Sequence, residues 1–362
     1  LTGNSARSVS WKGRKPARPK DALISIIAPC YNEDESVEGF AQAVLECVKG
    51  GGFEVEILFV DDGSLDDTRA KLFELSRRDA KIRVLALTRN FGKEAALTAG
   101  LDHARGDAVI VMDVDLQDPP ELIAEFVKKW REGYDVVYAK RDNREADTLA
   151  KRFTAEGFYR LFNSLSEIKI PEDAGDYRLM DRRVVETMKT LSERSRFMKG
   201  LFAWAGYRAA AVPYVRPARA AGATKFNFWR LWNFALDGIV SFSTAPLRVW
   251  SYVGLFIAAI SFIYASWIIL LTLVSGNDVP GYASLLTFVL FFGGVQMFST
   301  GVLGEYIARL FVEAKHRPIY VVDEIYESEE ASSRRGDADL PEQPLKDENP
   351  YVAQRTGLKS EA

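Results

Sequence analysis

The segment VIVMDVDLQDPPEL, residues 109 to 122, closes a run of apolar residues with Asp113, Asp115 and Asp118, and sets Gln117 among them. Three carboxylates crowded at the end of a core strand repel one another, and buried charge is costly unless it is paired or bound to a metal. A cation is therefore expected among them. Where a chain leaves the regular alternation of a strand, two aspartates one residue apart can converge on one ion, and the side-chain oxygen of Gln117 can join Asp113 and Asp115. Hard oxygen ligands favour Mg²⁺ or Mn²⁺, whose open positions diphosphate oxygens can fill. A solvated turn is the competing reading of an isolated D-x-D, so the surroundings decide.

Those surroundings are strand ends. Apolar runs at Leu23 to Ala28, Val55 to Val60, Ile82 to Leu87, Ala108 to Met112 and Asp135 to Ala139 read as buried strands separated by helical patterns. The first helix places Val37, Phe40, Ala41, Val44, Leu45 and Val48 on one face at a 3.6-residue period. Such alternation predicts an α/β domain, a mostly parallel sheet with helices on both faces, whose ligands bind beyond the carboxyl ends of the strands. The first four strands run into APCYNEDE, VDDGSLDD, TRNFGKEAAL and MDVDLQDPP, four polar clusters on one sheet edge. No G-x-G-x-x-G follows the first strand and no G-x-x-x-x-G-K-S/T occurs, while GGGF at Gly50 to Phe53 precedes a strand and reads as a turn. A nucleotide at this edge must then be held through a metal and side chains.

The rest of the chain points to a membrane. Ser251 to Val274 holds no Lys, Arg, Asp or Glu over 24 residues, enough for a helix across a ~30 Å hydrocarbon core. Tyr282 to Gly304 is also uncharged, and the short turn SGNDVPG between them predicts a two-helix membrane hairpin. Arg248 precedes the first span and Arg309, Lys315 and Arg317 follow the second, so both ends of the hairpin, and the domain before it, are expected in the cytoplasm. The first 20 residues carry six bases and no acid and lack the apolar stretch of a signal peptide; residues 323 to 362 carry eleven acids against five bases. Both ends read as unstructured. Cys30 and Cys47 suggest no disulfide framework and read as small buried hydrophobes, and His103 and His316 as surface residues. No basic stripe with interleaved aromatics supports nucleic-acid binding.

PCYNE, VDDGS, RNFGKEAALTAGL, MDVDLQDPPEL, AGDYRLMDRR, RFMKGLFAW and RAAGATKFNFWRLWNFALDGIVSFS, in this order over residues 22 to 320, resemble the polyprenyl-phosphate glycosyltransferases of glycosyltransferase family 2. This inverting group is related to dolichol-phosphate mannose synthase and the bactoprenol glucosyltransferases. The resemblance implies a GT-A, Rossmann-like catalytic domain over 21–225, after a basic arm at 1–20. A juxtamembrane amphipathic helix at 226–249, a membrane hairpin at 250–308 and an acidic cytoplasmic tail at 309–362 would follow. Pro29, Tyr31 and Glu33 match the first nucleotide-binding motif, Asp62 an acid that contacts the base, and Lys93 joins the donor-binding set. Asp113 and Asp115 match the D-x-D that holds ribose or metal, with Gln117 as a further ligand, and Asp176 an acid acting as base or positioning residue. Arg219 and Lys225 match basic groups at the acceptor phosphate, so Asp115, Asp176, Arg219 and Lys225 form the implied catalytic set. Val114 stands where Ala is frequent and Phe226 where Trp is, neither removing a polar group.

The implied activity is transfer of a hexose, glucose from UDP-glucose in first place, to undecaprenyl phosphate for cell-envelope glycosylation, with Mg²⁺ or Mn²⁺ as cofactor and a homotetramer as the assembly. Mannose from GDP-mannose is the alternative donor, and a non-enzymatic nucleotide or lipid sensor the alternative class. The expected location is the bacterial plasma membrane, with the catalytic domain and both termini cytoplasmic. Amphipathic TLAKRFTAEGFYRLF and aromatic FNFWRLWNFALDGIVSF suit a lipid headgroup boundary. A processive polysaccharide synthase would carry Q-x-x-R-W and more spans, and an aspartate-nucleophile phosphotransferase would place D-x-D-x-T/V after the first strand; neither pattern is present.

Overall fold

A computed structural model describes residues 18–141, 174–191, 193, 194, 196, 198–214, 245–275 and 281–328. Eight strands form one sheet: β1 (Leu23–Cys30), β2 (Glu54–Asp61), β3 (Ile82–Leu87), β4 (Ala108–Val111), β5 (Val136–Arg141), β6 (Ala174–Asp181), β7 (Ala209–Tyr214) and β8 (Val322–Tyr326). Their order is β7-β5-β6-β4-β1-β2-β3-β8. The centre, β4-β1-β2-β3, is parallel throughout. The five strands legible in the sequence all form. The flanks depart from the expected pattern, because β6 runs antiparallel between β4 and β5, and β8 runs antiparallel along the free edge of β3.

Helices α1 (Val37–Cys47), α2 (Thr68–Arg78) and α4 (Leu122–Arg131) cover one face, and α3 (Lys93–His103), α5 (Arg182–Thr190) and α6 (Met198–Trp204) the other. Successive strand residues point to opposite faces, so Ile26 packs with Phe40, Phe59, Phe126 and Trp130 while Ile27 packs with Leu58, Leu85 and Leu97. Helix α1 buries the predicted Val37, Phe40, Ala41 and Val44, but Cys47 at its end is exposed rather than buried. In α3 every residue from Ala95 to Leu101 is buried, and its small side chains let it lie directly on β1. A Cβ on Gly100 would stand 2.4 Å from the Ile27 side chain, so larger residues would push α3 off the sheet.

Two corrections concern the chain ends. The acidic segment from residue 323 is not unstructured at its start: β8 zips onto β3, and Glu327 meets Arg83 at 3.3 Å and Arg105 at 2.9 Å. Arg83 is also held by Glu56 at 3.0 Å, giving a buried ion cluster under the sheet. Tyr320 donates to Asp102 at 2.8 Å, which brings its ring against His103; that histidine is half-buried, not a free surface residue. At the other end Arg18 lies over the Trp130 ring and pairs with Asp135 and Asp181, so the basic arm is anchored by its last turn. Long helices α7 (Ala245–Ser275) and α8 (Tyr282–Ala314) meet through Trp250 and Phe298, ring centroids 5.0 Å apart. Among the described helices, one segment, Val249–Ile268 of α7, is long and apolar enough to cross a membrane, and side chains such as Leu255, Phe256, Ile263 and Trp267 point outward from it.

Candidate active site

The carboxyl ends of β1, β2 and β4 and the loop after β3 surround one cleft of about 400 Å³, lined by Pro29, Tyr31, Glu33, Asp62, Lys93, Asp113 and Asp115 among others. Seven of the site residues expected from sequence therefore share one cavity. The loops that build it are tied to one another. Asn32, in a left-handed conformation at φ 54°, accepts from the Leu65 amide at 2.8 Å and donates its own amide to Ser64 at 3.0 Å. The Glu33 amide reaches Thr68 at 2.9 Å. Tyr31, on the cleft wall, is 41% exposed.

Asp62 is buried, and its two carboxylate oxygens accept from the amides of Phe91, at 2.7 Å, and Gly92, at 2.9 Å. Burial pushes its carboxyl above the usual aspartate range, and these two amide bonds oppose that rise. The family resemblance implies a base contact for Asp62; what the geometry shows is that it clamps the loop delivering Lys93. Gly63 makes the clamp sterically feasible, because it sits at φ +67° and a Cβ there would lie 2.4 Å from the Arg89 carbonyl carbon.

Lys93 brings one cation to Asp113, and shares it with Asp176 rather than with the other carboxylates of the DVDLQD turn. It opens α3 behind Gly92, at φ 99°, and its Nζ lies 2.8 Å from the Asp113 carboxylate and 3.1 Å from Asp176. A lysine in the first turn opposes the helix dipole, so its position answers to the site rather than to the helix. Desolvation in the cleft works against the ammonium, yet Asp113 and Asp176 outweigh it and hold the lysine above its usual range. Strand β6 supplies Asp176. Its register pairs Val111, the last residue of β4, with Arg178, so Asp176 lies beside the turn that carries Asp113, and the two carboxylates meet at Lys93.

The D-x-D turn is braced from below. Tyr177 donates to the Pro119 carbonyl at 2.9 Å, and the Gln117 amide donates to Asp115 Oδ1 at 3.1 Å. Gln117 is buried and absent from the cleft lining, so its described contact to the aspartate pair is this backbone bond. Arg178, buried beside them and stacked 4.1 Å from the Phe202 ring, donates to the Gly175 carbonyl; burial lowers its guanidinium to about 10, partly offset by Asp176. Sequence reasoning missed the roles of Tyr177 and Arg178, although both stand in the AGDYRLMDRR motif. Arg219, Lys225 and the amphipathic segment at 148–162 lie outside the described residues.

Among the described residues no group of three or more His, Cys, Asp and Glu converges as a complete metal cage. Two carboxylates on the rim of an open cleft nevertheless fit a hard divalent ion, since Mg²⁺ is commonly held by one or two carboxylates with substrate phosphates completing its shell.

Comparison with known proteins follows the same division of the chain. Residues 25–188 match the family model for glycosyl transferase family 2, and residues 245–310 match the GtrB C-terminal hairpin. The chain is 54% identical over 299 residues to a bactoprenol glucosyl transferase of Shigella phage SfV, covering 83% of this chain and 97% of that protein. It is 52% identical over 302 residues to a prophage bactoprenol glucosyl transferase homolog of Escherichia coli K12, covering 83% and 99%. An uncharacterised glycosyltransferase of Synechocystis is 52% identical over 303 residues, covering 84% and 95%.

Proposed function

The chain belongs to glycosyltransferase family 2, and from that premise we propose that it moves glucose from a nucleotide sugar to a polyprenyl phosphate with inversion at the anomeric carbon. It is a glycosyltransferase with an α/β domain of the GT-A type; the acceptor and the sugar are the proposal. The observation that carries it is the cleft in which the Lys93 ammonium lies between Asp113 and Asp176, beside Asp115, at the one edge where four strand-end loops meet. The names of the relatives matched over most of the chain support bactoprenol as acceptor and glucose as sugar. UDP is the donor nucleotide in this reading.

The obstacle in such a reaction is charge rather than basicity. A phosphate monoester has a second pKa near ~6, so at neutral pH its oxygen is already anionic and attacks without a strong base. That oxygen forms a bond to the anomeric carbon as the bond to the leaving diphosphate breaks, on opposite faces of the sugar. Two unit charges ~5 Å apart at an effective dielectric of ~20 repel by ~3 kcal/mol. Asp113 and Asp115 would hold Mg²⁺ or Mn²⁺, which when bound offsets charge on the diphosphate. Lys93 supplies a fixed cation on the same side. Tyr31 offers its exposed ring to the base, while Asp62 keeps the 89–92 loop in place beneath the nucleotide. Asp176 holds the Lys93 ammonium from the side opposite Asp113 and acts by positioning it. Arg219 and Lys225 neutralise the acceptor phosphate in this scheme.

In this reading α7, which holds the one described segment apolar enough to cross a membrane, is joined by α8 as a second span with the charged ends on the cytoplasmic side, and the hairpin brings the cleft to the lipid surface. Calorimetric titration of UDP-glucose with Mg²⁺ tests the donor half. Asp115→Asn should abolish metal-dependent donor binding while the protein stays folded and membrane-bound; unchanged binding would remove the aspartate pair from the site.

A further inference from the structure

A second cavity lies on the opposite side of α3 from the donor cleft. It measures about 320 Å³ and is walled by Phe91 and Glu94 of the α3 start, by Arg194 and Arg196, and by Lys315 and Arg317 just after α8. Four basic side chains face one acid on its wall, with Glu313 of α8 bound to the Arg194 amide at 2.8 Å and Glu193 nearby. Arg196 is held by the Leu191 carbonyl at 2.6 Å, so its guanidinium is fixed in place. Arg194 differs. Its Nε and Nη1 are shielded from water and have no hydrogen-bond partner, two donors prepared for an acceptor. Lys315 lies over the Phe311 ring at 3.9 Å, an arrangement that keeps its ammonium at the end of the helix.

The location identifies the anion. Just above the cavity, α8 presents Leu303, Ile307, Leu310 and Phe311 outward, each about half to two-thirds exposed. Basic side chains at the end of such a helix lie at headgroup depth, where phosphate is the abundant acceptor. We propose that this cavity binds the phosphate of an anionic phospholipid headgroup and so docks the catalytic domain, through α3, against the membrane surface. The proposal rests on the hairpin being membrane-embedded. It concerns a site separate from the donor cleft, for α3 turns Lys93 and Ala96 to that cleft and Glu94 and Ala95 to this one.

The full chain in detergent, mixed with phosphatidylglycerol and phosphatidylcholine at equal concentration, is examined by native mass spectrometry. Wild type should retain phosphatidylglycerol at least about tenfold over phosphatidylcholine, and Arg194→Gln with Lys315→Gln should remove the preference. Equal retention of the two lipids, or a preference unchanged in the double variant, overturns the proposal. Displacement of the retained lipid by millimolar inorganic phosphate as effectively as by phosphatidylglycerol would make it a site for free phosphate, and a raised acceptor KM in the double variant in lipid-saturated vesicles would make it the acceptor's own site; either result also overturns it. Flotation with pure phosphatidylcholine vesicles reads the hairpin separately: wild type and double variant should float alike, and failure of both would refute the membrane reading rather than the cavity.

Discussion

Lys93 turns two acidic motifs into a site. Asp113, just past the end of β4, and Asp176 of the antiparallel β6 share its ammonium, which offsets the repulsion between the two carboxylates. The pair also fixes a sign. A lysine raised above its usual range in the folded protein contributes stability that is complete below its unfolded value and is lost only as pH rises through the folded value. Between about pH 6 and 9 Lys93 therefore adds no slope. Lys93→Met and Asp176→Asn should each lower turnover by about 10²-fold, and the loss should be equally deep across that range, measured as initial rates at saturating donor. Recovery of Asp176→Asn at the alkaline end would show that a missing base, not a misplaced ammonium, was the defect. Asp113 and Asp115 were legible in the sequence because they follow an apolar run, whereas Tyr31, Glu33 and Asp176 were singled out only by family resemblance. The Lys93 bridge was not legible, since it depends on β6 lying antiparallel next to β4, a pairing that local pattern does not encode.

At the scale of elements, the parallel centre of the sheet and its covering helices follow from period and alternation, while the flanking strands do not. β8 is short and carries Asp323 and Glu324, composition that reads as solvated tail. Tertiary partners override it: Arg69 takes both acids at the rim, and the buried Arg83 takes Glu327. The return of the chain after α8 thus covers the exposed edge of β3 and ties the hairpin to the catalytic domain. The two ends of this strap should differ in value. Glu327→Gln weakens a pair shielded from solvent and should cost about 1–3 kcal/mol, whereas Asp323→Asn, at an exposed pair, should stay within about 0.5 kcal/mol. Thermal unfolding of both variants in the same detergent compares them. Equal shifts would mean that β8 is held by its backbone ladder alone.

At the scale of the molecule, the proposed scheme gives donor and acceptor to different parts of the chain, the nucleotide to the strand ends and the lipid phosphate to Arg219 and Lys225 upstream of the hairpin. Replacing both by Ala should sharply weaken use of polyprenyl phosphate, by several kcal/mol if each charge-assisted contact contributes ~1.5–3, yet leave UDP-glucose affinity within a few-fold. A collapse of donor affinity with acceptor affinity intact would move these residues to the diphosphate. The family and the hairpin were readable from motif order and from two uncharged runs, whereas the identity of the sugar rests on hydroxyl contacts that no motif spells out. The most direct measurement is transfer itself: full-length protein in detergent, UDP-glucose labelled in the sugar, undecaprenyl phosphate and Mg²⁺, with the lipid fraction extracted and counted. Labelled lipid should form with wild type, require all three additions and vanish with Asp115→Asn. Label released only as free glucose, or lipid labelled equally well by the Asp115→Asn protein, would contradict the account.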